Sequence, residues 1–145
     1  MAKEYDPRMH SAEHILNQTM IRMFGTGRAF SAHVEKRKSR CDYRFGRDLT
    51  AEEARELERR VNAVVAADLP VRAEFLARED AARTFDLGRL PADAPGTVRI
   101  VRIGDYDACP CSGAHVERSA AIGTFRVAST QFADGVLRIR FRLQD

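Results

Sequence analysis

The stretch IGTFRVASTQFADGVLRIRFRL, residues 122–143, decides the fold class. At its centre stands Ala133-Asp134-Gly135, and Asp-Gly accepts the positive φ angles that a tight turn between two twisted strands demands. After the turn, Leu137, Ile139 and Phe141 alternate with Arg138, Arg140 and Arg142, which gives one apolar and one cationic strand face. Two strands, 122–132 and 136–143, are expected as antiparallel neighbours.

Working outward, residues 97–103 and 71–77 read as further strands, 78–85 as a short helix and 90–96, with Pro91 and Pro95, as a loop. Thr50 and Glu53 form a capping box for a helix that runs through Leu57, Val61, Val64 and Val65 until Pro70 forbids continuation, its Glu/Arg-rich side toward solvent. Residues 30–36 and 39–45 read as a hairpin around a basic turn, because Cys41, Tyr43 and Phe45 alternate with Arg40, Asp42 and Arg44. At the front, Met9, Ala12, Leu16, Met20 and Met23 recur at helical spacing over 8–24, with Gly25 as the stop. Projection puts Ser11, Gln18 and Arg22 opposite that stripe, and His10 and His14 at its border. The expected architecture is α+β: one domain, 1–145, in two layers, with a mostly antiparallel sheet and helices packed on one face.

A chain of 145 residues that is 44% hydrophobic is long enough to bury a real core. An odd number of cysteines, three, no charged-then-apolar leader and no apolar run of transmembrane length lead to the expectation of a cytoplasmic protein without a membrane partner. The net charge of +3 neither demands nor excludes a nucleic acid.

The chemistry lies in two pairs at opposite ends of the chain. His10 and His14 stand four positions apart in the first helix, as do Cys111 and His115 in the segment Cys109-Pro110-Cys111-Ser112-Gly113-Ala114-His115. Positions i and i+4 of a helix are neighbours about 5–6 Å apart at Cβ, so both imidazoles can reach one ion. Pro and Gly bend the second segment so that Cys111 and His115 face a common point. A thiolate with three imidazoles favours Zn²⁺ over Mg²⁺ or Ca²⁺, which prefer oxygen. Cys109 is the alternative thiolate. Four protein ligands usually close a structural site, whereas catalytic zinc keeps a position open.

His-Ser-Ala-Glu-His-Ile-Leu (residues 10–16), Cys-Ser-Gly-Ala-His-Val (111–116), the Ile122-Gly123 pair after it and Leu57-Glu58-Arg59-Arg60-Val61-Asn62 between them resemble the editing domain shared by alanyl- and threonyl-tRNA synthetases. With no synthetase catalytic domain in the sequence, the resemblance is to the short, freestanding alanyl-tRNA editing hydrolases. It implies a zinc-dependent hydrolase that cleaves the ester of a mischarged tRNA at its acceptor end: Ser-tRNA(Ala) foremost, or Gly-tRNA(Ala), with Ser-tRNA(Thr) as an alternative. Many members read Cys-Gly-Gly-Thr-His where this chain has Ser112 and Ala114. Both positions therefore bear on amino-acid selectivity, and Ser31 resembles the place of a hydroxyl that senses the substrate side chain.

Ester hydrolysis needs activated water, an oxyanion partner and a proton for the leaving hydroxyl. Glu13 is the candidate base or ligand-orienting group, and the Gly113 backbone a candidate oxyanion donor. Lys36, Arg37 and Lys38 in the first hairpin turn, with Arg138, Arg140 and Arg142 on the last strand, are candidates for tRNA phosphates. Two other classes fit parts of the sequence. One is a non-catalytic, zinc-stabilised tRNA-binding module. The other is a peptidase, since residues 10–14 satisfy H-x-x-E-H. The sequence leaves oligomeric state undefined.

Overall fold

A computed structural model of the chain describes residues 6–87 and 96–144. The first helix, α1 (Pro7–Phe24), starts where Asp6 accepts from the Arg8 and Met9 N–H groups and Pro7 supplies a helix-ready φ. It stops at Gly25, left-handed at φ 69°, whose N–H reaches the Ile21 carbonyl. A hairpin follows, β1 (Ser31–Val34) and β2 (Lys38–Arg44), then α2 (Ala51–Ala66) with the expected Thr50/Glu53 capping box. Next come β3 (Val71–Ala77), α3 (Arg78–Thr84), β4 (Thr97–Ile103) and β5 (Asp107–Pro110). A single 3-10 turn, Ser119–Ile122, leads into β6 (Thr124–Ala133) and β7 (Val136–Gln144). Asp134 and Gly135 have φ 52° and 77°, as the Asp-Gly signal requires.

The fold is α+β and every strand pair is antiparallel, but the strands form two sheets, ordered β1-β2-β7-β6 and β3-β4-β5. The second sheet depends on β5, which carries no alternation in sequence and ends in Pro110. Proline is tolerated there because β5 is an edge strand. The expected strand from residue 122 begins at Thr124. Most of the 90–96 loop lies outside the described residues.

The main core lies between the four-stranded sheet and two helices. Met9, Ala12, Ile15, Leu16 and Met20 of α1 and Leu57 and Val61 of α2 are wholly buried, as are Cys41, Tyr43, Phe125, Leu137, Ile139 and Phe141 of the sheet. A smaller core joins Ala81 of α3 to Val98 and Ile100 of β4.

The side of α1 opposite its apolar stripe is not left to solvent. Ser11 does not face solvent; it is fully buried. The polar side of α1 is a docking face for the β4–β5 turn: Thr19 Oγ1 meets the Tyr106 hydroxyl at 2.6 Å, Gln18 donates to Asp107, and Arg22 donates to the Tyr106 carbonyl and lies over its ring. A turn held by these polar contacts sends the chain from β5 straight back across the His10 end of α1.

Because β6 is a sheet edge, its outward backbone groups need partners, and α2 provides them. Asn62 accepts from the Phe125 N–H at 2.8 Å and donates to its carbonyl at 2.9 Å, while Glu58 accepts from the Val127 N–H. Asn62→Ala strands both Phe125 groups and should lower the unfolding free energy by about 2 kcal/mol. Urea denaturation followed by circular dichroism checks this; an unchanged midpoint would refute it.

Candidate metal centre

Helix α1 presents His10 and His14 one turn apart, 6% and 3% exposed, and the segment after β5 brings Cys111 and His115 to meet them. One ligand atom from each of the four lies within 4.8 Å of all the others. His10 Nε2 and Cys111 Sγ are 3.3 Å apart. Tetrahedral zinc with ordinary bond lengths separates its ligand atoms by roughly 3.4–3.6 Å, so the His10–Cys111 pair already has about that spacing and the others close in from at most 4.8 Å.

His10 and His115 are hydrogen-bonded at their other nitrogen, and His14 has a carboxylate facing it. His10 Nδ1 lies 3.1 Å from the Ala114 carbonyl, which fixes Nδ1 as the donor and leaves Nε2 as a lone pair. His115 Nδ1 lies 2.9 Å from Ser11 Oγ, which also accepts from the Val116 N–H; His115 Nε2 is buried with no protein partner, as a metal ligand would be. His14 turns Nδ1 toward the Asp107 carboxylate, 3.6 Å away. That is too long for a good hydrogen bond but close enough for electrostatic attraction. Asp107, its side chain fully buried, is itself held by both terminal nitrogens of Arg28, at 2.7 and 3.2 Å, and by Gln18 at 3.0 Å.

The loop is as constrained as the helix. Arg99 of β4 donates to the carbonyls of Cys111 and Gly113, and its own carbonyl accepts from the Cys111 N–H. A side chain at position 113 would collide with the His10 ring, whose Nδ1 lies 2.7 Å from where Cβ would be. Gly113 is therefore required by close approach, a reason independent of any oxyanion role.

Without metal the four ligands form a charge cluster. Burial alone would raise the Cys111 thiol, but the three imidazoles packed around it prevail and bring it down to about 3. Burial opposes charge on His14, yet Asp107 and Cys111 push it up to about 9. Burial first, and then the charge on His14, lower His115 to about 4 despite Cys111. Without metal the cluster thus favours a thiolate beside a protonated imidazole, and binding a cation would release protons from it. Cys109 differs: burial first, with Asp107 and Cys111 nearby, raises it to about 11, and it stands outside the four-ligand group.

The remaining candidates scatter. Glu13 is at the cluster's edge, its Oε2 3.9 Å from His10 Nε2 and its Oε1 accepting from Asn17. Ser112 and Ala114 are exposed on the ligand loop. Ser31 is exposed and opposite Asp42, in no recorded contact with the cluster. Lys36, Arg37 and Lys38 are exposed, and Lys38, Arg40 and Asp42 of β2 pair with Arg142, Arg140 and Arg138 of β7 on the sheet face away from α1. Arg138 is bound at two nitrogens by Asp42, and Arg140 donates to Gln131. Sequence reading missed Ser11, Arg28, Arg99 and Asp107 as supports. Only Ser11, inside the His-x3-His motif, and Asp107, four residues before Cys111, had a positional signal.

A family described as the threonyl and alanyl tRNA synthetase second additional domain matches residues 98–140, which include Cys111 and His115. The alanine–tRNA ligase of Halorubrum lacusprofundi is 38% identical over 139 residues, covering 91% of this chain and 15% of the relative. That of Idiomarina loihiensis is 34% identical over 139 residues, 94% of this chain and 16% of the relative, and that of Treponema denticola 30% over 137 residues, 93% and 23%. The chain thus spans less than a quarter of the length of these relatives.

Two outcomes test the site. Cys111→Ala should lose bound zinc while Cys109→Ala keeps it, measured as metal per protein after dialysis; the reverse would move the thiolate ligand to Cys109. In metal-free protein at pH 6, iodoacetamide should label Cys111 well before Cys109, because only the former is a thiolate there.

Proposed function

Because the chain is related to the second additional, editing domain of threonyl- and alanyl-tRNA synthetases, we propose that it is a zinc-dependent deacylase that hydrolyses the ester of mischarged tRNA. The observation that carries this reading is the convergence of His10, His14, Cys111 and His115 at one point in a chain so related. Alanine–tRNA ligases as relatives favour tRNA(Ala), with Ser-tRNA(Ala) as the first substrate, Gly-tRNA(Ala) as the second, and Ser-tRNA(Thr) as the alternative that the shared family leaves open.

Zinc, when bound by these four residues, would supply Lewis-acid polarisation of the ester carbonyl. The protein's part is preorganisation. Ala114 and Ser11 hold His10 and His115 at Nδ1, Asp107 attracts His14, and Arg99 holds the loop, so the ligands are oriented before reaction. The Gly113 backbone is the proposed oxyanion donor, and the exposed Ser112 and Ala114 line the approach. Ser31 stays a proposed substrate contact only if the acceptor end reaches round β1. For tRNA phosphates, the exposed Lys36, Arg37, Lys38 and Arg142 are better placed than Arg138, whose charge Asp42 already balances, or Arg140, which donates to Gln131. Among the described residues no helix is long and apolar enough to cross a membrane. We place the activity in the cytoplasm, with the aminoacyl-tRNA it would act on.

A peptidase of the H-x-x-E-H type needs a remote carboxylate as third ligand, and here Cys111 and His115 fill that part of the site. A purely structural zinc remains a separate reading. Zinc-loaded protein should release serine from Ser-tRNA(Ala) while sparing Ala-tRNA(Ala), and Cys111→Ala should cut the rate at least about 100-fold. No turnover of any mischarged tRNA would refute the deacylase. Unfolding on chelation, followed by circular dichroism, would make the zinc structural.

A further inference from the structure

Glu13 stands at the cluster and, among the described residues, no arginine clasps its carboxylate as Arg28 clasps Asp107. Of its two oxygens, Oε1 is pinned by the Asn17 amide at 3.2 Å. Asn17 is itself fixed, 2% exposed, its Oδ1 accepting from the Tyr43 hydroxyl at 2.8 Å and the Ala29 N–H at 2.9 Å. Oε2 has a single ion contact, His10 Nε2 at 3.9 Å, and that nitrogen is the one turned to the metal position. Arg28, close enough to interact with Glu13, gives both terminal nitrogens to Asp107. The Glu13 side chain is 12% exposed, open enough to meet a ligand and too enclosed to be a freely solvated surface carboxylate. A buried asparagine that holds one oxygen and aims the other past a metal ligand is a built arrangement.

We propose that Glu13 receives the α-ammonium group of the aminoacyl ester. The inference rests on the deacylase reading and adds a substrate requirement to it. In any α-amino ester the nitrogen lies about 2.5 Å from the carbonyl carbon, so an ester whose carbonyl sits at the four-ligand centre can turn its ammonium within reach of Glu13 Oε2, itself 3.9 Å from His10 Nε2. The ammonium donates and the carboxylate accepts, a charge-assisted hydrogen bond formed in a site where little water competes. The chain then selects free-amine aminoacyl esters over neutral esters of the same shape.

The test compares Ser-tRNA(Ala) with glyceryl-tRNA(Ala), made from it by nitrous acid, in which a hydroxyl replaces the ammonium. Wild-type zinc-loaded protein should prefer the seryl ester by about 10- to 100-fold in kcat/KM. Glu13→Gln, which keeps an oxygen for Asn17, should lose most of that preference through a higher KM for the seryl ester, with the glyceryl ester and the zinc content unchanged. An equal fall on both esters would make Glu13 a general base and overturn the proposal, as would a preference that survives in Glu13→Gln. A wild-type protein that hydrolyses neither ester refutes the deacylase reading itself, and the proposal with it.

Discussion

A buried carboxylate holds this molecule's two working halves together. Asp107 opens β5, yet its partners, His14, Gln18 and Arg28, belong to α1 and the residues just after it. Removing a carboxylate from water costs several kcal/mol unless charge and hydrogen bonds compensate, and Arg28 supplies a two-nitrogen clasp. The arrangement admits little slack. If α1 rotated, His14 and Gln18 would leave Asp107 together; if β5 slid, Cys111 would leave His10. The same contact that fixes the fold thus fixes ligand geometry, and the depressed proton affinity of Asp107, achieved by His14, Arg28 and Gln18 against its burial, keeps it anionic at any ordinary pH.

Much of this was legible in the residues. The helix caps at Thr50 and Gly25, the Asp-Gly turn and the alternation around Ile139 are local signals, and the chain obeys them. That His10, His14, Cys111 and His115 would meet was legible too, because metal chemistry restricts residue type and spacing so tightly. What escaped was non-local. Ser11 reads as a polar residue on a polar helix face until the ligand loop is laid over it, and its hydroxyl then serves His115 and Val116. The short strand β5 has no pattern of its own; it exists because β4 offers an edge. Arg138 reads as a free cation in its strand, and only sheet register reveals Asp42 opposite.

The two sheets divide the labour. The four-stranded sheet supplies the wall against which α1 packs Leu16 and Met20. The three-stranded sheet shares only its end nearest α1 with that core, through Ile103 and Val71, and carries the ligand loop on Arg99. The helix half of the site is therefore the rigid reference, and the loop half is the part whose position a distant change in β4 can tune.

His10 and Cys111 touch although 101 positions separate them along the chain. During synthesis Cys111 follows His10 by 101 positions, and until it and His115 emerge α1 has only its own two histidines to offer. Two imidazoles are a poor hold for any ion in a cell full of competing chelators. A metal bound by these four residues would therefore be chosen late, by a finished fold with its donors already brought together.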